Sequence, residues 1–356
     1  MTTGSPDAGC HLETGLAMTV IIPTFNSGKY LDIALESLLA QTRRPDEVLV
    51  VDAGSRDNTA ALVEGFSKRL PLRFISAPKT VAGVARNIGI DIARGEIISF
   101  LDSDDIYLSN RLELAERVFC EDPLLDAVHG FNVQWSSGED RLFFGYDYQR
   151  ELDEYVEIFE HSLINLSALS VRRSFLLQYG VRFPAGARAR YGEDWDFCAK
   201  LVAKNAKLQF VQEPVSVVTV RADSHTQPHL QWKMKLCALL TLQDTAGPVL
   251  SRRHSKAVQD RVRRAIDLSR LKLIVTLLLS GRPYLARLAS GGFSSLVMTA
   301  MAPILVLFSR YCPKIAHPLF SRLGMRYASS RHKTFMSDTL QDESALQYLR
   351  KKLMPK

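Results

Sequence analysis

Three carboxylates occur within four positions at residues 102–105, where the sequence reads DSDD. They directly follow the apolar run 97–101, which is typical of a buried strand. Like charges this close together are unfavourable unless a cation or hydrogen-bond donors lie beside them. The cluster therefore predicts a place where the protein holds positive charge.

Three roles are open for this cluster. Asp102 or Asp104 could cap a following helix, which would leave the remaining carboxylates unexplained. Two carboxylates could also act as a paired acid and base without a metal. Alternation along an extended chain places Asp102 and Asp104 on one side, with Ser103 turned away. Such carboxylates can bind Mg²⁺ or Mn²⁺ and leave positions for phosphate oxygens, so the residues favour a metal–phosphate site.

Two further polar turns follow strand-like runs, in residues 18–25 (MTVIIPTF) and 46–55 (DEVLVVDAGS). Asp52 could accept hydrogen bonds from a ligand, or it could shape only its own loop as an Asx-turn. Phe25 could contact a nucleotide base, or it could be a core aromatic. The sequence contains no GxGxxG segment after a strand, so the dinucleotide fingerprint is absent.

Helical spacing of apolar residues alternates with these strand-like runs. Helices are predicted in 27–42, 55–70 and 81–95, and further strands in 72–78 and 96–102. This order predicts an α/β fold with a doubly wound, mostly parallel sheet flanked by helices. Because ligands bind beyond the carboxyl ends of the strands in such sheets, we expect the three polar turns to lie together.

The alternation of strand and helix ends near residue 115. Antiparallel strands are predicted in 126–135 and 141–148. Residues 208–221 have the pattern of two short strands broken at Pro214. From about residue 230 only helical periodicity remains, which predicts a C-terminal helical region.

The composition is that of a globular protein, with 46% hydrophobic and 23% charged residues among 356. Its five cysteines form no CxxC pair, which indicates free thiols in a reducing compartment. The first residues lack the features of a signal peptide. We therefore expect a cytoplasmic protein with a disordered lead-in over 1–17, a sheet domain over 18–228 and a basic helical region over 229–356.

Charge is distributed unevenly along the chain. Residues 251–356 contain 20 Lys and Arg against 5 Asp and Glu, a net charge of +15. Because the whole chain carries +7, the remainder carries −8. The basic tail predicts an anionic partner, either membrane phospholipid or nucleic acid. The alternative is a cationic helix face that is merely solvated.

Residues 288–309 contain no charged side chain. They favour an interfacial or re-entrant helix pair, or a buried hairpin, over a transmembrane span.

Three segments together resemble the family 2 glycosyltransferases of GT-A fold. They are VIIPTFNSGKYLDIALESLLAQTRRPDEVLVVDAGSRDNT, GVARNIGIDIARGEIISFLDSDD and GEDWDF. They occur in the order and spacing of that family over roughly residues 18–225. The resemblance implies that 18–228 is a GT-A domain. It also implies transfer of a sugar from a nucleoside-diphosphate sugar, with inversion at the anomeric carbon and a divalent metal, Mn²⁺ or Mg²⁺.

The resemblance assigns the first strand ends to the nucleoside. Pro23, Thr24 and Phe25 would line its site, and Asp52 would hydrogen-bond the base, most often uracil. Ala53 stands where many relatives carry a second aspartate. Asp52 is therefore the single base-contacting carboxylate expected in that turn.

The acidic cluster and the ARN segment before it are also matched. Asp102, Ser103 and Asp104 correspond to the family's DxD motif. The resemblance places Asp102 towards the ribose and lets Asp104 bind the metal that bridges the two phosphates. Arg86 and Asn87 match positions beside the nucleotide that brace the acidic motif.

The resemblance assigns the acceptor side to GEDWDF. Asp194 matches the catalytic base, Glu193 would neighbour it, and Trp195 could stack on a sugar ring. An acidic helix N-terminus, favoured by the helix dipole, is the alternative interpretation of this segment. His225 matches a histidine that binds metal or diphosphate, although a surface-loop histidine fits the residues equally well.

The sequence therefore predicts an inverting glycosyltransferase that uses a UDP-linked donor and a glycan or lipid-linked acceptor, in cell-surface polysaccharide synthesis. It would lie at the inner face of the membrane and bind an anionic surface through its basic region. Acceptor contacts are sought in the segment 120–190, where four polar or aromatic residues are candidates: His129, Trp135, Asn165 and Arg188.

Two other classes of protein are alternatives. A sugar-phosphate nucleotidyltransferase is the alternative enzyme, but it usually needs a glycine-rich phosphate loop after the first strand. The corresponding segment PTFNSGKY contains a single glycine. A nucleic-acid-binding protein would need a recognition module, and the basic tail lacks interleaved aromatics, so no nucleic-acid partner is expected.

Overall fold

The structure is a computed structural model of the chain. It describes residues 15–136, 141–144, 157–159, 162, 164–220, 231–250, 255–279 and 289. Most of the predicted lead-in, His225 and all but one residue of the uncharged segment 288–309 lie outside the described residues. Within them, nine strands form one mixed sheet with eight α-helices packed on its two faces.

The first half is the predicted parallel α/β unit. Its strands are β1 (Met18–Thr24), β2 (Glu47–Asp52), β3 (Leu72–Ser76) and β4 (Ile97–Phe100). Its helices are α1 (Leu31–Leu39), α2 (Thr59–Phe66) and α3 (Ala82–Ile92). The strands pair in parallel in the order β3-β2-β1-β4. The doubly wound parallel arrangement is therefore confirmed for this half.

The second half extends the same sheet with mixed pairing. Its strands are β5 (Ile106–Tyr107), β6 (Ala127–Ser136), β7 (Arg141–Phe144), β8 (Leu169–Arg172) and β9 (Leu208–Val220). Its helices are α4 (Arg111–Glu121), α5 (Arg173–Gln178), α6 (Glu193–Ala203), α7 (Gln231–Leu250) and α8 (Lys256–Leu279), with short 3₁₀ turns at Leu166–Ala168 and Gly186–Ala189. The sheet continues from β4 in the order β8-β6-β9-β5, and β7 pairs with β6 in the predicted antiparallel sense.

The interpretation of 208–221 as two strands is wrong, because β9 runs through Pro214. The missing N–H of Pro214 is accommodated by a register shift opposite His129–Asn132. Gly130 lies at this irregularity, where an added Cβ would stand 2.6 Å from Val215 and 2.8 Å from the Glu213 carbonyl. A glycine there allows the two strands to stay paired across the proline.

Both faces of the sheet are covered, and the alternation along β1 shows how. Val20 and Ile22 face a cluster formed with α1, α2 and α4, whereas Ile21 faces the opposite cluster with α5 and α6. Buried residues of α7 and α8, Leu242 and Val262 among them, lie in that second cluster. The helices after residue 230 therefore pack on the core that carries α6. None of the described helices is long and apolar enough to cross a membrane.

Candidate active site

Hydrogen bonds join the three polar turns at the carboxyl ends of β1, β2 and β4. The main-chain N–H of Asn26 donates to Ser55 Oγ over 2.8 Å, and the side-chain Oδ1 of Asn26 accepts from the main-chain N–H of Arg56 over 2.9 Å. Ser27 Oγ and Ser103 Oγ lie 2.8 Å apart. The three turns therefore lie together, as the parallel strand order predicts.

The end of β1 presents a polar group and an aromatic ring. Pro23 lies in the strand opposite Val51 of β2. Thr24 is buried, and among the described residues no hydrogen-bond partner lies within reach of its hydroxyl. Phe25 is 60% exposed, so the interpretation of Phe25 as a core aromatic is wrong. A buried hydroxyl without a partner and an exposed ring are both suited to contact a ligand.

Asp52 lies buried at the end of β2 and shapes its own loop. One carboxylate oxygen accepts from the N–H groups of Gly54 and Ser55, over 3.1 and 2.9 Å. The other accepts from Ser55 Oγ over 2.5 Å. Gly54 has a φ of +99°, a conformation that favours glycine. The Asx-turn is thus observed, and any ligand contact would use the remaining lone pairs of the carboxylate.

Arg86 of α3 connects the acidic turn to α6. Its guanidinium donates to Asp102 Oδ1 over 2.5 Å and to Glu193 Oε1 over 3.3 Å. It also lies over the Phe183 ring, 5.3 Å from the centroid. Burial alone would lower the pKa of Arg86, but the carboxylates of Asp102 and Glu193 raise it above its usual value. Arg86 therefore pairs with the acidic motif, and its place beside the nucleotide stays a prediction.

Asn87, next to Arg86, pairs with the main chain of Phe183. Its amide nitrogen donates to the Phe183 carbonyl over 3.0 Å, and its amide oxygen accepts the Phe183 N–H over 2.9 Å. These two bonds fix the ring on which Arg86 lies. Asn87 thus supports Arg86 through Phe183, and its place beside the nucleotide stays a prediction.

The acidic turn separates its carboxylates into different environments. Asp102 is one third exposed, whereas Asp105 is buried. Asp105 accepts from Ser167 Oγ over 2.6 Å and from the Thr219 N–H over 3.3 Å. Burial, reinforced by the charges of Asp102 and Asp104, raises the pKa of Asp105 well above its usual value. The helix-cap interpretation is wrong, because β5 follows the turn and α4 begins later.

The donor set of this turn fits a hard cation. Asp102 and Asp104 offer carboxylate oxygens, which are the ligands that Mg²⁺ and Mn²⁺ prefer. Within the described ranges, no group of three His, Cys, Asp or Glu is arranged to hold a metal. A cation here would therefore need ligands besides these two side chains, such as phosphate oxygens, water or a residue outside the described ranges.

Asp194 lies in the first turn of α6, after Gly192 with a φ of +104°. Burial and the neighbouring Glu193 charge raise the pKa of Asp194 to about 6, against the opposing effects of the Trp195 N–H and Arg86. A carboxylate with this pKa is largely ionised at neutral pH and is a stronger base than an ordinary aspartate. Its position at a helix N-terminus, the alternative interpretation of this segment, is observed as well.

Trp195 is packed into the protein. Its indole N–H donates to the Ile158 carbonyl over 2.5 Å, and its ring packs against the core cluster beneath the sheet. The ring is partly buried and its polar edge is satisfied, and stacking of Trp195 on a sugar ring stays a prediction.

The four acceptor candidates of segment 120–190 also have structural contacts. His129 and Trp135 are buried, and burial lowers the pKa of His129 to about 4. Asn165 caps the 3₁₀ turn by accepting the Ser167 N–H, and Arg188 pairs with aspartates of α6 and α7. These residues therefore build the scaffold.

Sequence reasoning missed the contributions of Ser27, Ser55, Ser167 and Phe183. Ser55 contacts Asp52 within its own loop, whereas the other three contact predicted site residues through the tertiary fold, and Ser167 lies 65 positions from Asp102. Serines and phenylalanines are common residues. The available signal was limited to the two polar turns that contain Ser27 and Ser55.

The fold is that of the GT-A glycosyltransferases. Residues 19–178 match the family described as Glycosyl transferase family 2, and this part of the chain belongs to that family.

Two curated relatives match part of the chain. Glycosyltransferase GlyG of Streptococcus pneumoniae serotype 4 is 34% identical over 130 residues, which cover 36% of this chain and 42% of the relative. The Escherichia coli UDP-Glc:alpha-D-GlcNAc-diphosphoundecaprenol beta-1,3-glucosyltransferase WfgD is 40% identical over 98 residues, which cover 27% of this chain and 38% of the relative. The match thus spans about two fifths of these relatives.

Solved structures share the fold. The chain superposes on TarS of S. aureus with a TM-score of 0.59 and 19% identity, covering 86% of this chain and 55% of that one. It superposes on the mannosyltransferase PcManGT of Pyrobaculum calidifontis, solved with GDP-Man and Mn²⁺, with a TM-score of 0.54 and 17% identity. That likeness covers 89% of this chain and 87% of the other.

Proposed function

We propose that this glycosyltransferase moves a sugar from a UDP-linked donor to a hydroxyl of a glycan or lipid-linked acceptor, with inversion and with a divalent metal. The observation that carries the proposal is the double pairing of Arg86 with Asp102 and Glu193. This buried guanidinium brings the acidic turn to the first turn of α6, where Asp194 lies. A donor-binding motif and a proton acceptor therefore face one site.

The donor would lie across the three strand ends. The Thr24 hydroxyl and the exposed Phe25 ring are available to the nucleoside, and Asp52 would accept a hydrogen bond from its base. Pro23 shapes the end of the strand, and Ser103 lies where the diphosphate would pass. The UDP-Glc in the printed name of WfgD supports a UDP-linked donor, and its diphosphoundecaprenol supports a lipid-linked acceptor.

Asp104 would hold the metal, with Asp102 towards the ribose or the metal and His225 as a further ligand. A bound Mn²⁺ or Mg²⁺ would neutralise the charge that develops on the leaving diphosphate. The Mn²⁺ in the structure of PcManGT supports a metal of this kind.

Asp194 would act as the general base. Its carboxylate accepts the proton of the acceptor hydroxyl as the hydroxyl oxygen forms a bond to the anomeric carbon. The bond between that carbon and the diphosphate oxygen breaks, and entry opposite the leaving group inverts the configuration. Glu193 raises the basicity of Asp194 through its charge, and Arg86 holds Glu193 in place.

The basic helical region over 229–356 would bring the enzyme to the inner face of the membrane. Its excess of Lys and Arg favours an anionic surface, where a lipid-linked acceptor for polysaccharide synthesis would lie. The lead-in over 1–17, the catalytic domain over 18–228 and this region form the proposed domain organisation.

The test is sugar transfer by the full chain with Mn²⁺, a panel of nucleoside-diphosphate sugars and a diphosphate-linked lipid acceptor. We expect transfer from a UDP-sugar, with an inverted anomeric centre in the product by NMR. Asp104→Ala should abolish transfer, whereas the matched control Asp91→Asn, an exposed carboxylate paired with Arg182, should not. Pyrophosphate release from a nucleoside triphosphate and a sugar phosphate would instead identify a nucleotidyltransferase.

A further inference from the structure

One buried hydroxyl contacts both ends of the acidic turn. Ser167 is fully buried in the 3₁₀ turn Leu166–Ala168, which leads into β8. Its Oγ accepts the Asp102 N–H over 3.2 Å and donates to the Asp105 carboxylate over 2.6 Å. A hydroxyl can make both bonds at once because it has one donor and two acceptor sites. The first and last residues of the turn are thereby tied to one side chain.

The Ser167 hydroxyl is itself held in place. The Ser167 N–H donates to Asn165 Oδ1 over 2.8 Å, and its carbonyl accepts from Arg111 Nε over 3.5 Å. Asp105 is also held from the other side, since its second oxygen accepts the Thr219 N–H of β9. The acidic turn is therefore held by two elements of the second, mixed half of the sheet: the 3₁₀ turn and β9.

A second buried serine shows what a purely structural hydroxyl looks like here. Ser170 is as buried as Ser167 and lies three positions further along the chain. Its Oγ lies 2.6 Å from Ser99 Oγ and accepts from Arg111 over 3.0 Å. These bonds join β8 to β4 and α4, and neither reaches the acidic turn. The chain thus supplies a matched control.

We propose that Ser167 is a positioning residue for the divalent cation, acting through the Asp102 N–H and the Asp105 carboxylate. This inference rests on the proposed function, because it assigns the cation to Asp104 and Asp102. Without the hydroxyl, the buried Asp105 carboxylate loses a donor and the Asp102 N–H loses its acceptor. The like charges of the turn would then separate, and the cation ligands would move from their positions.

The test compares Ser167→Ala with Ser170→Ala in the full chain, by titrating Mn²⁺ in the presence of UDP and following free Mn²⁺ by electron paramagnetic resonance. We expect S167A to weaken Mn²⁺ binding by about tenfold to a hundredfold, the range for residues that orient metal ligands. S170A should stay within about twofold of the wild type. Both variants lose a buried hydrogen bond, so their melting temperatures should fall by similar amounts.

Equal Mn²⁺ affinity in S167A and the wild type would overturn the inference, and so would an equal loss in S167A and S170A. A wild-type chain that binds no Mn²⁺ with UDP would overturn the proposed metal dependence itself, which is a separate result. If S167A does not fold, Ser167→Cys fills the same space with a weaker donor and should show a smaller loss of Mn²⁺ affinity. An unchanged affinity in S167C would then be the contrary outcome.

Discussion

Two acidic regions lie on either side of Arg86, and they are built alike. Each contains one carboxylate that pairs with Arg86, which is Asp102 in the turn after β4 and Glu193 in α6. Each also contains a buried carboxylate, Asp105 or Asp196. The remaining carboxylate of each region is the proposed functional one: Asp104 in the turn and Asp194 in α6.

The two regions differ in how the buried carboxylate is satisfied. Asp105 accepts from a hydroxyl and a main-chain N–H, both neutral. Asp196 forms ion pairs with Arg188 and Lys200 and accepts a hydrogen bond from Thr241.

The buried carboxylate of the α6 region is thus paired with two cations, whereas the buried carboxylate of the turn after β4 is held by neutral donors. A region with excess negative charge suits an added cation, and a neutralised region suits a carboxylate that gains and loses a proton.

Substitutions of Asp104 and Asp194 should have the largest effects, and these effects should differ between metal binding and sugar transfer. Asp104→Ala should lose both Mn²⁺ binding and transfer. Asp194→Asn should keep Mn²⁺–UDP binding but lower kcat by about a hundredfold to ten-thousandfold, since the base is removed. The measurements are steady-state kinetics and Mn²⁺ titration with UDP. Loss of Mn²⁺ binding in D194N would show that the two regions do not act separately.

The stability of the Asp194→Asn variant shows whether Asp194 has a structural role. The pKa of Asp194 is raised in the folded state, so the folded protein binds this proton more tightly than the unfolded chain does. The protonated carboxyl therefore adds to the free energy of unfolding at low pH, and this contribution is lost as the pH rises towards about 6. D194N should be at least as stable as the wild type at pH 7, as measured by urea denaturation. Marked destabilisation would mean that Asp194 has a structural role.

Arg86→Met should affect both regions together. Removing a buried cation leaves Asp102 and Glu193 without their partner, and the free energy of unfolding should fall by about 3–5 kcal/mol. Because Arg86 lowers the pKa of Asp194, that pKa should also rise, and the pH at which kcat reaches its plateau should rise with it. Urea denaturation and a pH–rate profile test this. An unchanged profile in a folded variant would contradict the proposed link.

Glu193→Gln should produce a smaller change, confined to α6. The charge of Glu193 raises the pKa of Asp194, so removing it should lower that pKa from about 6. The acidic limb of the kcat profile should then move to lower pH, because a base with a lower pKa is ionised at lower pH. Mn²⁺ affinity should change little. A limb that stays in place would exclude Asp194 as the group that titrates.

Asp244→Asn should have the smallest effect. Asp244 of α7 is 55% exposed and forms the outer ion pair of Arg188 over 2.5 Å. Exposed pairs contribute about 0–1 kcal/mol to the free energy of unfolding, so stability should fall only within that range and kcat should not change. Thermal denaturation and kinetics measure both. A large loss of kcat would show that α7 contributes more to the α6 region than its contacts indicate.

The sequence predicted the parts that depend on repeating patterns. The spacing of apolar residues indicated the parallel β1–β4 unit, and polar residues after three strand-like runs indicated a site at their carboxyl ends. The DSDD cluster indicated positive charge nearby. The order of these motifs indicated the glycosyltransferase family before any contact was known. Patterns of this kind are local or ordered along the chain, which is why they can be interpreted without a structure.

Only the tertiary structure decided which side chains pair. Arg86 meets Glu193 across 107 positions, and Ser167 meets the acidic turn across more than 60. Such contacts depend on how β8 and α6 pack against the parallel half, which no periodicity specifies. Trp195 is a further case, because its residue type suits sugar stacking, whereas its contacts with Ile158 and the core cluster depend on the tertiary fold. Residue type sets what chemistry is possible, and packing decides which groups face the site.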